Sequence, residues 1–201
     1  MVIIGVTGPS GAGKGVVSEI MRTKYSYYTI DADKVYHELI SFPSECLDEI
    51  KKYFGESVVD SSGALDRSVL RERVFGKENG ENLELLNQIT HKHVISAIRA
   101  EINSLKSSTP ACVVDAPLLI ESGFVPECDF TVSVLAPQSM RSERISKRDG
   151  ISQVDAMKRI SSQKQDAFYI DNTDYSITND GDMDALEEAV LNILHERRLI
   201  K

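Results

Sequence analysis

Apolar positions along the chain follow two rhythms. Five short runs predict β-strands: VIIGVT (Val2 to Thr7), the stretch from Tyr27 to Ile30, ACVVDAP (Ala111 to Pro117), FTVSVLA (Phe130 to Ala136) and YSITND (Tyr175 to Asp180). The first and third lack polar alternation and read as strands buried on both faces. Elsewhere the spacing is three and four. Val16, Ile20 and Met21 can share one helical face, as can Leu186, Val190, Ile193 and Leu194 near the end. From about residue 34 to 106 the same period recurs through Leu39, Leu47, Ile50, Phe54, Leu70, Val74, Leu85, Leu86, Ile89, Ile95, Ile98 and Ile102.

Strands separated by helices predict an α/β fold around a mainly parallel five-stranded sheet covered on both sides. The helical run between the second and third strands is too long for a single crossover. It is expected to be an insertion over the carboxyl edge of the sheet, where ligands bind in such folds. This gives one domain with a core of about residues 1–35 and 108–201 and a helical insertion of about 36–107.

At 201 residues the chain fits one domain, and its 41% hydrophobic and 27% charged residues are ordinary for a globular protein. A net charge of −8 argues against a broad surface for nucleic acid or anionic membrane, while leaving room for a local basic pocket. Residues 1–7 are apolar, but Gly8 and Pro9 interrupt them, so no signal peptide is expected. Nothing approaches the ~18 apolar residues of a membrane span. Cys46, Cys112 and Cys128 have no CxxC spacing and read as reduced thiols of a cytoplasmic protein.

The chemistry begins directly after the first strand. Gly8-Pro9-Ser10-Gly11-Ala12-Gly13-Lys14 satisfies GxxxxGK between a strand and a helix. Glycines let the backbone curl so that amide N–H groups converge on phosphate. The helix N-terminus adds positive potential, and Lys14 can reach the outer phosphates. A dinucleotide fingerprint is the rival, since Gly11 and Gly13 form GxG and Asp31 and Asp33 follow. Its third glycine would fall on Val16, and it contains no lysine. Where Ser or Thr commonly supplies a Mg²⁺ ligand after the lysine, this chain has Gly15, followed by Val16. The metal would then rely on phosphate oxygens, water and acids elsewhere.

Carboxylates stand at strand ends. Of Asp31 and Asp33, one can face the phosphate site and accept a proton while the other caps the next helix. Asp115, ending CVVD, occupies the place of an acid that contacts Mg²⁺ directly or through water, with capping of the DAPLL turn as the alternative. Arg141, Arg144 and Arg148 share one helical face, either toward phosphate or toward solvent. His91 and His93 lack the spacing of a helical zinc pair.

Together these segments resemble the dephospho-CoA kinases. GVTGPSGAGK matches the family's GxTGxxGxGK, and Asp31-Ala32-Asp33 its DAD. LDRSVLRERVF carries Arg67, Leu70, Arg71 and Phe75 of another element. LNQITH, DAPLLIE, RISKRDG, Gln163 and DYSITNDG follow in family order, so the likeness covers almost the whole chain. Adenylate kinases share the GKG, but their TGDMLR-like and GFPR segments are not recognisable here.

The resemblance implies a P-loop NTPase-type three-layer fold with an acceptor-binding insertion and a small helical lid at about residues 138–170. It implies transfer of the ATP γ-phosphoryl group to the ribose 3′-hydroxyl of dephospho-CoA with Mg²⁺, the last step of CoA synthesis. Residue by residue, it implies an ATP site of Gly8, Pro9, Ser10, Gly11, Ala12, Gly13, Lys14, Gly15, Val16, Arg144, Arg148, Asn179 and Gly181. Lys14, Asp33 and Arg144 would be catalytic, with Asp33 as the base or orienter of the hydroxyl. Asp33, His37, Arg71, His91, Pro117 and Leu118 would serve the acceptor, and Asp33 and Asp115 the metal. Departures fall at Gly15, at His37 in place of Arg, at Lys92 in place of Pro and at Arg141 in place of Gln. Because several touch the acceptor side, a kinase for another ribosyl acceptor and a weakly catalytic nucleotide-binding regulator are the alternatives.

Overall fold

The computed structural model describes residues 1–75, 80–105 and 109–200. The side chain of Phe75 and the expected insertion boundary near residues 107 and 108 lie outside the described residues. In chain order the elements are β1 (Val2–Thr7), α1 (Lys14–Tyr25), β2 (Tyr28–Asp31), α2 (Ala32–Ser41), α3 (Glu45–Phe54), α4 (Arg67–Phe75) and α5 (Gly80–Leu105). They continue with β3 (Ala111–Asp115), β4 (Phe130–Leu135), α6 (Gln138–Asp149), α7 (Gln153–Ser161), α8 (Asp166–Asp171), β5 (Tyr175–Thr178) and α9 (Met183–Glu196). The chain divides into two compact units, Met1–Ile30 with Lys106–Lys201, and Asp31–Leu105.

In the first unit the strands form one five-stranded sheet in the order β2-β3-β1-β4-β5. β1 runs parallel to both β3 and β4, and β4 runs parallel to β5. From β1 the chain goes out to the β2 edge, returns through β3, then crosses β1 to reach β4 and β5. Winding therefore reverses at β1, which leaves a crevice at its carboxyl end. The segments VIIGVT, ACVVD and FTVSVL are mostly apolar because both sheet faces are covered; every residue of β4 is buried, Thr131 and Ser133 included. Val17, Ile20 and Met21 of α1 and Leu186, Val190 and Leu194 of α9 pack with Ile4, Val6, Val113, Val132 and Val134 in one core.

Two local expectations are corrected here. Val16 faces outward, 36% exposed, whereas Val17, Ser18, Ile20 and Met21 form the buried stripe. Spacing alone permits either stripe, and the angle at which the loop feeds α1 selects one. Strand two begins at Tyr28, not Tyr27, and Tyr27 packs in the core.

The second unit has a core of its own, including Ile40, Leu47, Ile50, Phe54, Leu70, Val74 and Ile89. Two of its helices begin where side-chain caps satisfy otherwise orphaned amides. Asp31 Oδ1 accepts from the N–H groups of Asp33 and Lys34, at 2.9 and 3.1 Å, and starts α2. Ser44 Oγ accepts from Leu47 N–H at 3.0 Å and starts α3. Lys92, one of the departures, joins His93 of α5 in bonding the Glu49 carboxylate of α3, at 2.9 and 2.6 Å.

Burial pushes the Cys46 thiol up to about 11 and the Cys128 thiol up to about 12. Since the thiolate is the reactive species, iodoacetamide at pH 8 is expected to label neither residue in native protein and both after denaturation. Peptide mass mapping checks this; rapid native labelling at either position would contradict it.

Candidate active site

Three glycines give the loop between β1 and α1 its shape. Gly8, Gly11 and Gly13 have φ of 140, 79 and 99°, a region that L side chains rarely adopt. Close approach adds to this, most tightly at two of them: a Cβ on Gly8 would lie 2.1 Å from the Val134 carbonyl oxygen, and one on Gly13 2.1 Å from Asn179 Nδ2. Gly13 also occupies the N-cap of α1 and no side chain caps the helix, the bare helix start that favours an anion. Lys14 Nζ donates to the Gly8 carbonyl at 3.0 Å, folding its ammonium back over the loop.

Carbonyls on the outer side of the loop are held by other segments. Asn179, following β5 and 3% exposed, donates through Nδ2 to Ala12 O at 2.9 Å. Arg144 of α6 spreads its guanidinium across the carbonyls of Gly11 and Ala12, both at 3.3 Å, and reaches Asn179 Oδ1 at 3.2 Å. Arg148, one turn on, lies 3.5 Å from Ser10 Oγ. The expected arginine face is therefore turned to the loop. Lys14, Arg144, Arg148 and the amide end of α1 concentrate positive potential there in a chain of net charge −8.

Arg148 also bonds Asp149 at 2.7 Å, and Arg159 of α7 bonds the same carboxylate. The Arg148 guanidinium first, and Arg159 with it, hold the Asp149 carboxyl down at about 2 instead of its usual 3.8. Because the folded value lies below the unfolded one, this contribution is complete above the unfolded value. It is lost as pH falls through the folded value. The melting-temperature advantage of wild type over Asp149→Asn is therefore expected to hold at pH 5 and vanish by about pH 2. An advantage unchanged across that range would refute the assignment.

Asp115 at the end of β3 accepts a 2.9 Å hydrogen bond from Ser18 Oγ. Ser18, 3% exposed, is a residue that sequence reasoning missed. Its signal was present, because it shares the buried stripe of α1 with Val17 and Met21. A Cβ on Gly15 would meet nothing within 4 Å. Pro117 and Leu118 lie in the turn after β3, where Pro117 O accepts from Thr7 Oγ1 at 3.3 Å. Gly181, at φ 106°, follows Asn179 in the turn after β5.

The remaining expected residues belong to the helical unit. Asp33 and His37 are on α2, Arg71 on α4 and His91 on α5. His37 Nδ1 is 2.6 Å from Arg67 Nη2, so the position where an Arg was expected holds a histidine paired with an arginine. Asp33 is in the first turn of α2, and the capping role falls to Asp31.

The family model for dephospho-CoA kinase matches residues 2–185. The chain is 32% identical over 195 residues to the dephospho-CoA kinase of Carboxydothermus hydrogenoformans, covering 96% of this chain and 93% of that one. It is 35% identical over 190 residues to that of Fusobacterium nucleatum, covering 94% and 95%. Among solved structures, a Thermus thermophilus protein superposes with a TM-score of 0.79 at 29% identity over 97% of both chains. The dephospho-CoA kinase of Campylobacter jejuni, at 24% identity, covers 97% of this chain and 96% of that one with a TM-score of 0.69, a likeness of fold. Match to the family model over nearly the whole length, together with these relatives, establishes that the chain belongs to the dephospho-CoA kinase family of enzymes.

Proposed function

We propose that this protein transfers the γ-phosphoryl group of ATP to the ribose 3′-hydroxyl of dephospho-CoA, giving CoA and ADP. The observation that carries the ATP half is the glycine loop on the helix N-terminus, with Lys14, Arg144 and Arg148 around it. The acceptor half rests on family membership.

In this reading the loop from Gly8 to Gly13, with Lys14, Gly15 and Val16, binds the phosphates, and Asn179 and Gly181 lie by the adenine. Asp33 accepts the proton of the 3′-hydroxyl as that oxygen attacks the γ-phosphorus. The bond to the β–γ bridging oxygen breaks and ADP leaves, with the charge spread over the transferring group offset by Lys14 and Arg144. His37, Arg71, His91, Pro117 and Leu118 bind the acceptor. Residues 36–107 are the acceptor-binding insertion, and 138–170 a lid that excludes water. We place the reaction in the cytoplasm, consistent with free cysteines and with no helix among the described residues long and apolar enough to cross a membrane.

The residues present fit Mg²⁺ as an ion kept mostly by phosphate and water. Among the described residues no group of three or more His, Cys, Asp or Glu could hold a metal, but Asp115 is an oriented carboxylate beside the loop's helix. Bound there, with Asp115 and Asp33 as its carboxylate ligands, directly or through water, Mg²⁺ would neutralise phosphate charge. The open space at Gly15 makes this testable. Gly15→Ser is expected to lower the Mg²⁺ concentration for half-maximal activity several-fold and to stabilise α1 by up to ~0.5 kcal/mol. An unchanged Mg²⁺ dependence would remove position 15 from the metal's surroundings.

The decisive assay is ADP release from purified protein with ATP·Mg²⁺ and a panel of acceptors including dephospho-CoA. Turnover with dephospho-CoA is expected. ATP binding without turnover on any acceptor would overturn the kinase reading, and turnover only on another acceptor would overturn the substrate.

A further inference from the structure

A closed ring of hydrogen bonds grips the outer side of the phosphate loop. Arg141, in the first turn of α6, is a charged residue only 2% exposed. Its Nε donates to the Ser10 carbonyl at 3.0 Å and its Nη2 to Gln163 Oε1 at 2.7 Å. The same Gln163 oxygen accepts from the Ser10 amide at 3.3 Å. Both main-chain groups of Ser10 are thus held by two side chains that also hold each other. Asp166 Oδ1 lies 3.8 Å from Arg141 Nη1 as a counter-charge. The loop rests directly on α6, since a Cβ on Gly11 would come 2.8 Å from the Arg141 carbonyl oxygen.

Burying a guanidinium is costly unless its donors find acceptors. An apolar residue would fill the same space more cheaply, so the interest lies in what the cation orients. In a trans peptide the carbonyl and the following N–H point to opposite sides, and there is no cis peptide among the described residues. Fixing the Ser10 carbonyl outward on Arg141 therefore turns the Gly11 N–H the other way. Gly11, at φ 79°, has the conformational freedom to let that peptide rotate if nothing held it.

We propose that Arg141 is a positioning residue for the nucleotide: with Gln163 it locks the Ser10–Gly11 peptide so that the Gly11 N–H faces the ATP phosphates. The proposal rests on the reading of the loop as the ATP site. Arg141 acts through the loop, because its side chain is 3% exposed and its donors are committed to Ser10 and Gln163. This contrasts with Arg148, whose side chain is 60% exposed.

Calorimetric titration of ATP into wild type, Arg141→Met, Gln163→Leu and the double variant tests it. Each single variant is expected to bind ATP roughly tenfold more weakly, as for one or two lost hydrogen bonds. The double variant should be little weaker than either, because both break one ring. The KM for ATP should rise in step, while kcat and the KM for the acceptor change less than about twofold. Ile50→Val, a buried truncation on α3 in the core of the second unit, should lower the melting temperature without changing ATP affinity. Gln163 is only half-buried, so Gln163→Leu keeps the test available should Arg141→Met fold poorly. Wild-type ATP affinity in the single variants, additive losses in the double variant, or an equal loss in Ile50→Val would overturn the ring's role. Wild-type protein that binds no ATP would overturn the ATP-site reading itself.

Discussion

Asp33→Asn is expected to bind ATP as wild type does while losing kcat by about a hundred- to ten-thousand-fold, the usual contribution of a positioned base. Asparagine keeps the shape and one acceptor oxygen but cannot take the proton of the 3′-hydroxyl. The substitution leaves the helix cap intact. The α2 cap is the Asp31 side chain, which receives the main-chain N–H of residue 33, and that bond is indifferent to the side chain there. Removing a negative charge from the first helical turn costs about 0.3–1 kcal/mol. Chemical-quench single turnovers, with ATP affinity from calorimetry, separate chemistry from binding. Turnover at the wild-type rate would exclude Asp33 from proton transfer, and a matching loss of ATP affinity would make it a nucleotide ligand instead.

Gly13→Ala is expected to weaken ATP binding at least about a hundredfold and to destabilise the protein by roughly 1–3 kcal/mol, the cost of a disfavoured backbone conformation. Two penalties coincide. The residue sits at φ 99°, and the new methyl would fall 2.1 Å from Asn179 Nδ2. Relief requires Asn179 to move, which breaks its bond to Ala12 O and releases the Asn179 contact of Arg144. The amide donors at the start of α1 would then lose their alignment. Gly15→Ala supplies the contrast: its Cβ meets nothing within 4 Å, so ATP affinity should not change. Melting curves and titrations on the two variants decide the matter. Equal ATP affinities in Gly13→Ala and wild type would mean the loop tolerates what its geometry forbids.

Local chemistry was legible wherever its cause lies within a few residues. GxxxxGK after an apolar run specified strand, anion-binding turn and helix, because positive-φ glycines and an uncapped helix start are properties of consecutive residues. The five strands were readable as short β-rich runs, three of them buried along most of their length, and their ends differ from expectation by at most two residues. The aspartates after β2 were read as one cap and one functional acid, and the cap is Asp31.

The sequence by itself therefore determined the α/β class, the phosphate loop and the order of the family's motifs. Only the tertiary structure decided which side chains support that loop. Ser18 bonds Asp115 across 97 residues, Arg141 bonds Ser10 across 131, and Asn179 bonds Ala12 across 167. Spacing along a helix showed that Arg141, Arg144 and Arg148 share a face, but not that the face meets the loop or that Arg141 is buried. Periodicity fixes which residues point the same way. What they point at depends on the sheet order β2-β3-β1-β4-β5, which sets the ends of β1, β3 and β4 side by side although they are far apart in the chain.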